Sequence, residues 1–110
     1  MSELKYQVKV CKILDSQNYY YYSVPNGFES DNVVNIMNLK RSGMKAGVAD
    51  IVVLRPGGRA YFLELKVGNN KMQDEQVRFK MIVESMGFRH FLVSPKMSQQ
   101  EFIDMIDEMG

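Results

Sequence analysis

A mixed α/β (α+β) fold, with a four-stranded sheet flanked by helices in the order αβ(α)ββαβα, follows from three features of the sequence. Two runs rich in β-formers, Val48 to Leu54 and Ala60 to Val67, flank the turn signal Pro56-Gly57-Gly58-Arg59, so a hairpin is the natural connection. A helix of crossover length, from about Gln73 to Met86, separates the second run from a last strand, Phe88 to Val93. Such a connection predicts that those two strands run parallel. Amphipathic stretches at both ends of the chain supply helices to cover the sheet.

Ser2 is placed to cap a first helix from Glu3 to about Asp15, with Leu4, Val8, Cys11 and Leu14 or Asp15 at helical spacing. Tyr19 to Val24 is aromatic and β-branched and reads as the first strand. Its four tyrosines, Tyr19 to Tyr22, place two on each face, as core, as a subunit contact or as platforms for base stacking. Pro25-Asn26-Gly27 turns the chain. A short helix follows from Asp31 to about Arg41, capped by Ser30 or Asp31 and stopped by Gly43, with Val33, Val34, Ile36, Met37 and Leu39 as its apolar positions. In the helix from Gln73 the buried side is assigned to Val77, Met81 and Ile82, with Phe79 and Met86. Ser98 caps a final helix carrying Phe102, Ile103, Met105, Ile106 and Met109.

With 110 residues the chain reads as one domain, 1–110, with a single core. Its one cysteine, Cys11, excludes an internal disulfide framework and a cysteine-based zinc site. No signal peptide or long apolar run is present, so an intracellular, cytoplasmic protein without membrane contact is expected. The only histidine, His90, sits in a strand-like run and reads as packed or surface, which argues against histidine-based chemistry.

The net charge of +1 conceals a polarised chain. From Lys40 to Lys80 nine basic residues face four acidic ones, whereas Glu101 to Glu108 carries four acids and no base. A basic middle suits a polyanion, and the acidic last helix is expected to face away from it.

Three charges interrupt the apolar runs: Asp50 in the first, Glu64 and Lys66 in the second. A lone charge in a buried strand is costly unless paired, and desolvation offsets much of what pairing returns. A divalent cation accounts for two acids gathered on one sheet face better than stability does. Glu64 and Lys66 share a face with Phe62, while Leu63 and Leu65 take the other. A two-residue loop would set Asp50 opposite Leu65; an odd-length loop or a bulge sets it opposite Glu64 or Lys66. The odd-length loop or bulge is therefore expected.

Asp50 followed on the next strand by Glu64-Leu65-Lys66 resembles the PD-(D/E)XK nuclease superfamily. Pro25-Asn26-Gly27, Gly43, Lys45, Gly47 and Val48 before the aspartate, and Gln76 early in the next helix, narrow the resemblance to its VRR-NUC domain, in small stand-alone members of phage or bacterial type. The one departure is Ala49, where the family often has proline.

The resemblance implies a restriction-endonuclease-like core and hydrolysis of DNA with Mg²⁺ or Mn²⁺. It further implies Asp50, Glu64 and the main-chain carbonyl of Leu65 as metal ligands, Lys66 beside the attacking water, and Gln76 orienting a water or the lysine. Glu3, with Gln7 one turn on, fits the family's first-helix positions bordering the metal; otherwise the pair is a solvated first turn. Gln76 could equally be a capping residue. Lys40, Arg41, Lys45 and Lys71 are the candidate phosphate contacts, and Gly43 and Gly47 permit a tight turn or a close phosphate. Small stand-alone members are similar to enzymes that cut branched DNA such as four-way junctions, for which a homodimer is expected. The alternatives are a non-catalytic nucleic-acid binding or assembly module, or a nuclease for flaps, single strands or RNA.

Overall fold

The computed structural model describes residues 1–25 and 33–108. The elements are α1 (Glu3–Ser16), β1 (Tyr20–Ser23), α2 (Val33–Arg41), β2 (Ile51–Arg55), β3 (Arg59–Leu65), α3 (Asp74–Ser85), β4 (Arg89–Val93) and α4 (Gln99–Asp107). One four-stranded sheet, ordered β1-β2-β3-β4, is antiparallel between its first three strands and parallel between β3 and β4. The crossover through α3 thus produces the parallel pair expected of its length. No helix among the described residues is long and apolar enough to cross a membrane.

The helix starts follow their caps. Ser2 Oγ accepts from the Lys5 N–H at 3.1 Å, and Ser98 Oγ accepts from the Glu101 N–H at 3.1 Å. Ser30, Asp31 and the Asn26-Gly27 part of the turn lie outside the described residues, as does Met109.

One sheet face makes the core. Ile51, Val53, Tyr61, Leu63, Leu65 and Val93 pack against Tyr6, Val10, Ile13 and Leu14 of α1 and Phe102 and Ile106 of α4. The acidic α4 therefore covers the face away from Glu64. The buried stripe of α1 lies two residues on from the expected one: Leu14 is buried as expected and Cys11 half-buried, but Leu4 and Val8 are exposed. Tyr6 decides the phase, because 6, 10, 13 and 14 form a continuous stripe that buries a large ring.

A similar correction applies to α3, which lies over the other face of the sheet. Only Val83 is buried there, Phe79 is half-buried, and Val77, Met81, Ile82 and Met86 stay exposed. Phe79 sets this rotation by meeting Phe62 edge to face at 5.3 Å and the His90 ring at 6.0 Å. The α2 residues Val34, Met37 and Leu39 are also exposed.

The tyrosines divide by face. Tyr19 donates to Asp107 and lies under the Arg55 guanidinium, 4.2 Å from its ring centre. Tyr21 donates to Asp15 at 2.9 Å, while Tyr20 and Tyr22 are exposed on the α3 side.

Candidate metal centre

Hairpin length places the first acid. Arg55 pairs with Arg59 across Pro56-Gly57-Gly58, a three-residue loop whose two glycines take positive φ of 85° and 72°. The register continues from Leu54 opposite Ala60 to Ile51 opposite Leu63. The loop is thus of odd length, as expected, and the regular pairing ends at Ile51, immediately after Asp50.

Asp50 lies just before the assigned start of β2, later than the expected strand start at Val48, yet the ladder holds it. Its N–H donates to the Leu63 carbonyl at 3.0 Å and its carbonyl accepts from the Val24 N–H at 2.9 Å. Its Oδ2 accepts the Leu65 N–H at 2.8 Å across the strand. That bond fixes the carboxylate against the residue between Glu64 and Lys66.

Glu64 is 1 % exposed, and neither Oε1 nor Oε2 has a hydrogen-bond partner. Lys66 Nζ stands 3.7 Å from Oε1, close enough for an ion pair and too far for a hydrogen bond. Burial raises the Glu64 pKa to about 8, the Asp50 charge adds to the rise, and Lys66 opposes it. A carboxylate so placed is an incomplete structure by itself, because buried acceptors are nearly always satisfied.

The surrounding cleft, about 250 Å³, is lined by Glu3, Gly47, Asp50, Lys66, Gln73, Glu75 and Gln76. Glu3, at the start of α1, reaches this cleft, and its charge contributes to the rise at Glu64. Gln7 does not line it. Gln76 does line it and also caps α3, its Oε1 accepting the Gln73 N–H at 2.8 Å. The capping reading is thus observed, and the capping bond leaves its Nε2 donors as what it can offer a ligand.

Gly47 permits a close packing contact at the edge of this cleft. Its φ is +82°, and a Cβ there would lie 2.4 Å from the backbone of Glu75. The first turn of α3 is thereby drawn against the strand that carries Asp50.

Lys40, Arg41, Lys45 and Lys71 are exposed and line no part of this cleft. Sequence reasoning missed Gln73 and Glu75, and the available signal was their position in the helix start around Gln76. His90 shares the sheet face of Glu64 but is packed among Phe79 and its neighbours, outside the cleft.

Among the described residues no three histidine, cysteine or acidic side chains form a ready metal cage. Two hard carboxylates do converge, one of them with both oxygens unsatisfied. That donor set fits a Mg²⁺- or Mn²⁺-sized cation, which keeps several waters and needs only one or two protein carboxylates.

No family model matches the chain, and no curated protein matches it. Two solved structures match over nearly its whole length. One, described as "VRR_NUC domain", has a TM-score of 0.66 at 18 % identity, covering 98 % of this chain and 97 % of its own. The other, described as "VRR_NUC domain protein", has a TM-score of 0.75 at 19 % identity, covering 98 % of this chain and 87 % of its own. The chain has the VRR-NUC fold. On this fold Asp50 just before β2, Glu64 of β3, Lys66 just after it and the start of α3 meet at one end of the sheet.

Proposed function

We propose that this protein is a metal-dependent, structure-specific DNA endonuclease, hydrolysing phosphodiester bonds inside the cell at the cleft between β2, β3 and α3. The supporting observation is Glu64, buried with two unsatisfied oxygens, within the field of the Asp50 charge and 3.7 Å from the Lys66 ammonium. Paired acids repel a phosphate unless a cation lies between them, so a purely electrostatic DNA binder has no use for this arrangement. Bound Mg²⁺ or Mn²⁺ would supply Lewis-acid polarisation of the phosphate and a more acidic water.

The ligands from the chain are Asp50, Glu64 and the Leu65 carbonyl. Asp50 is held rigidly by the Leu65 N–H and brings its charge without reorganising. Lys66 sets a positive charge beside Glu64, where it orients the attacking water or stabilises negative charge growing on the phosphate. Gln76 presents amide donors at the helix end, and Glu3 closes the cleft from α1. Lys40, Arg41, Lys45 and Lys71 hold more distant phosphates of the substrate.

The substrate is branched DNA, the four-way junction included. Symmetric cutting of two strands calls for a twofold dimer, since one chain carries one such cleft. The exposed Tyr20 and Tyr22 of the edge strand β1 offer the contact.

The test is cleavage of labelled duplex, flap, single-stranded and four-way-junction DNA with Mg²⁺ or Mn²⁺, run beside Lys66→Ala. Metal-dependent products from the wild type alone, with branched DNA cut fastest, are expected. Equal products from both proteins, or none from either, would overturn the reading.

A further inference from the structure

A second cleft, about 520 Å³, runs beside the first between α3 and the segment before β2. Its helix wall is formed by Glu75, Arg78, Phe79, Ile82, Val83 and Met86, whose spacing of three and four residues makes one line down the helix. Lys45, Ala46 and Val48 form the opposite wall. Phe79 is already oriented by its edge contacts with Phe62 and His90. The lining is mostly apolar, with one cation from each wall, and the volume falls within the roughly 300–1,000 Å³ typical of small-ligand pockets. Glu75 lines both clefts, so the two adjoin at that residue.

We propose that this second cleft receives a nucleobase turned out of the stack, next to the phosphate held at Asp50 and Glu64. The inference rests on the nuclease reading and names the feature that makes a DNA structure a substrate: an unpaired nucleotide adjoining the cut. The chemistry is complementary in two parts. A base is a flat aromatic surface that apolar walls and a fixed phenylalanine ring accept regardless of sequence. Its flanking phosphates are anions, and Lys45 and Arg78 stand at the cleft to take them. A paired base inside a duplex cannot enter, whereas an unpaired one has already lost most of the stacking that extraction must overcome. Flaps meet that condition outright, and a pair at a branch point, where continuous stacking is interrupted, opens at lower cost than one inside a duplex. The exposed Ile82 and Met86, apolar side chains turned away from the core, then serve as contact surface for a base.

The experiment uses the full chain and DNA carrying one 2-aminopurine, either unpaired at a bulge or paired in the matching duplex, with Ca²⁺ present so that binding is read without cleavage. The wild type is expected to bind the unpaired probe at least tenfold more tightly and to change its emission. Ile82→Asp, at a position already exposed, keeps the fold while placing a negative charge in the cleft. It should abolish both effects and leave binding of the paired probe within twofold. Arg78→Ala should weaken capture of the unpaired probe without removing the emission change. Equal binding of the two probes by the wild type, or wild-type behaviour from Ile82→Asp, overturns the proposal. So does sedimentation of Ile82→Asp at half the wild-type mass, which would make the cleft a contact between two copies of this chain. Parallel cleavage with Mg²⁺ separates the two readings. Base capture without cleavage of any DNA sinks the nuclease and keeps the pocket; cleavage indifferent to unpaired bases does the reverse.

Discussion

Glu64 and His90 lie on the same face of the same sheet, are 1 % and 6 % exposed, and both have side-chain polar atoms without hydrogen-bond partners. Burial pushes both toward their neutral forms, raising the acid and lowering the imidazole. Their surroundings differ. His90 meets an aromatic ring, with which a neutral imidazole packs comfortably, and the charges that act on it, those of Lys80, Glu84 and Asp50, make no hydrogen bond to its nitrogens. Glu64 lies 3.7 Å from Lys66 and within the field of Asp50, two residues that line an open cleft. An orphaned buried polar group marks a site only where other charges converge on it.

The sharpest contrast is in activity. Asp50→Asn, Glu64→Gln or Lys66→Ala should each lower metal-dependent cleavage by about 10²–10³-fold, read from single-turnover rates. His90→Phe should leave the rate within twofold, and a loss equal to that of Glu64→Gln would erase the distinction between the two positions.

The next effect concerns what holds α3 in place between them. Gly47→Ala sets a Cβ 2.4 Å from the Glu75 backbone at a positive φ. We expect a loss of roughly 3 kcal/mol from steric overlap and backbone strain, measured by urea unfolding. Gly43→Ala, whose Cβ would meet nothing within 4 Å, should lose less.

Stability against pH then separates the two groups by sign. The folded-state pKa of Glu64 is raised from 4.5 to about 8, so the folded protein holds a proton that the unfolded chain has lost. Its contribution to stability is present below pH 4.5 and is lost as pH rises toward 8. His90 is lowered from 6.5, so its contribution is present above that value and is lost as pH falls below it. In metal-free buffer Glu64→Gln should abolish the decline on the alkaline side, and His90→Phe the decline on the acid side. Thermal melts from pH 4 to pH 9 read both; unchanged profiles would contradict the assignment.

The smallest effect is that of His90→Phe on stability at neutral pH. Replacing two unsatisfied nitrogens by carbon in an aromatic setting should keep the unfolding free energy within about 1 kcal/mol of wild type.

The sheet was readable in the sequence because its signals are local: two β-rich runs, a Pro-Gly-Gly turn, and a helix too long for a hairpin connection. The odd length of the hairpin loop was readable too, since the period of a strand calls for it, or for a bulge, once Asp50 must share a face with Glu64 and Lys66. The faces of α1 and α3 were not. Each carries apolar residues on more than one side, and Tyr6 and Phe79 selected the buried stripe through partners distant in sequence. Glu75 was likewise hidden, because its place in the cleft comes from the close approach of Gly47, a tertiary contact with no local signature. Lys45 was singled out for the first cleft and lies along the second.

The claim beneath all of this is that Asp50 and Glu64 grip one cation together. Titration calorimetry with Mn²⁺ near neutral pH, on the wild type and on Asp50→Asn, tests it most directly. Saturable heat with proton release from the wild type, and none from the variant, is the expected result. Equal heats from the two proteins, or a wild type that binds no ion, would contradict it.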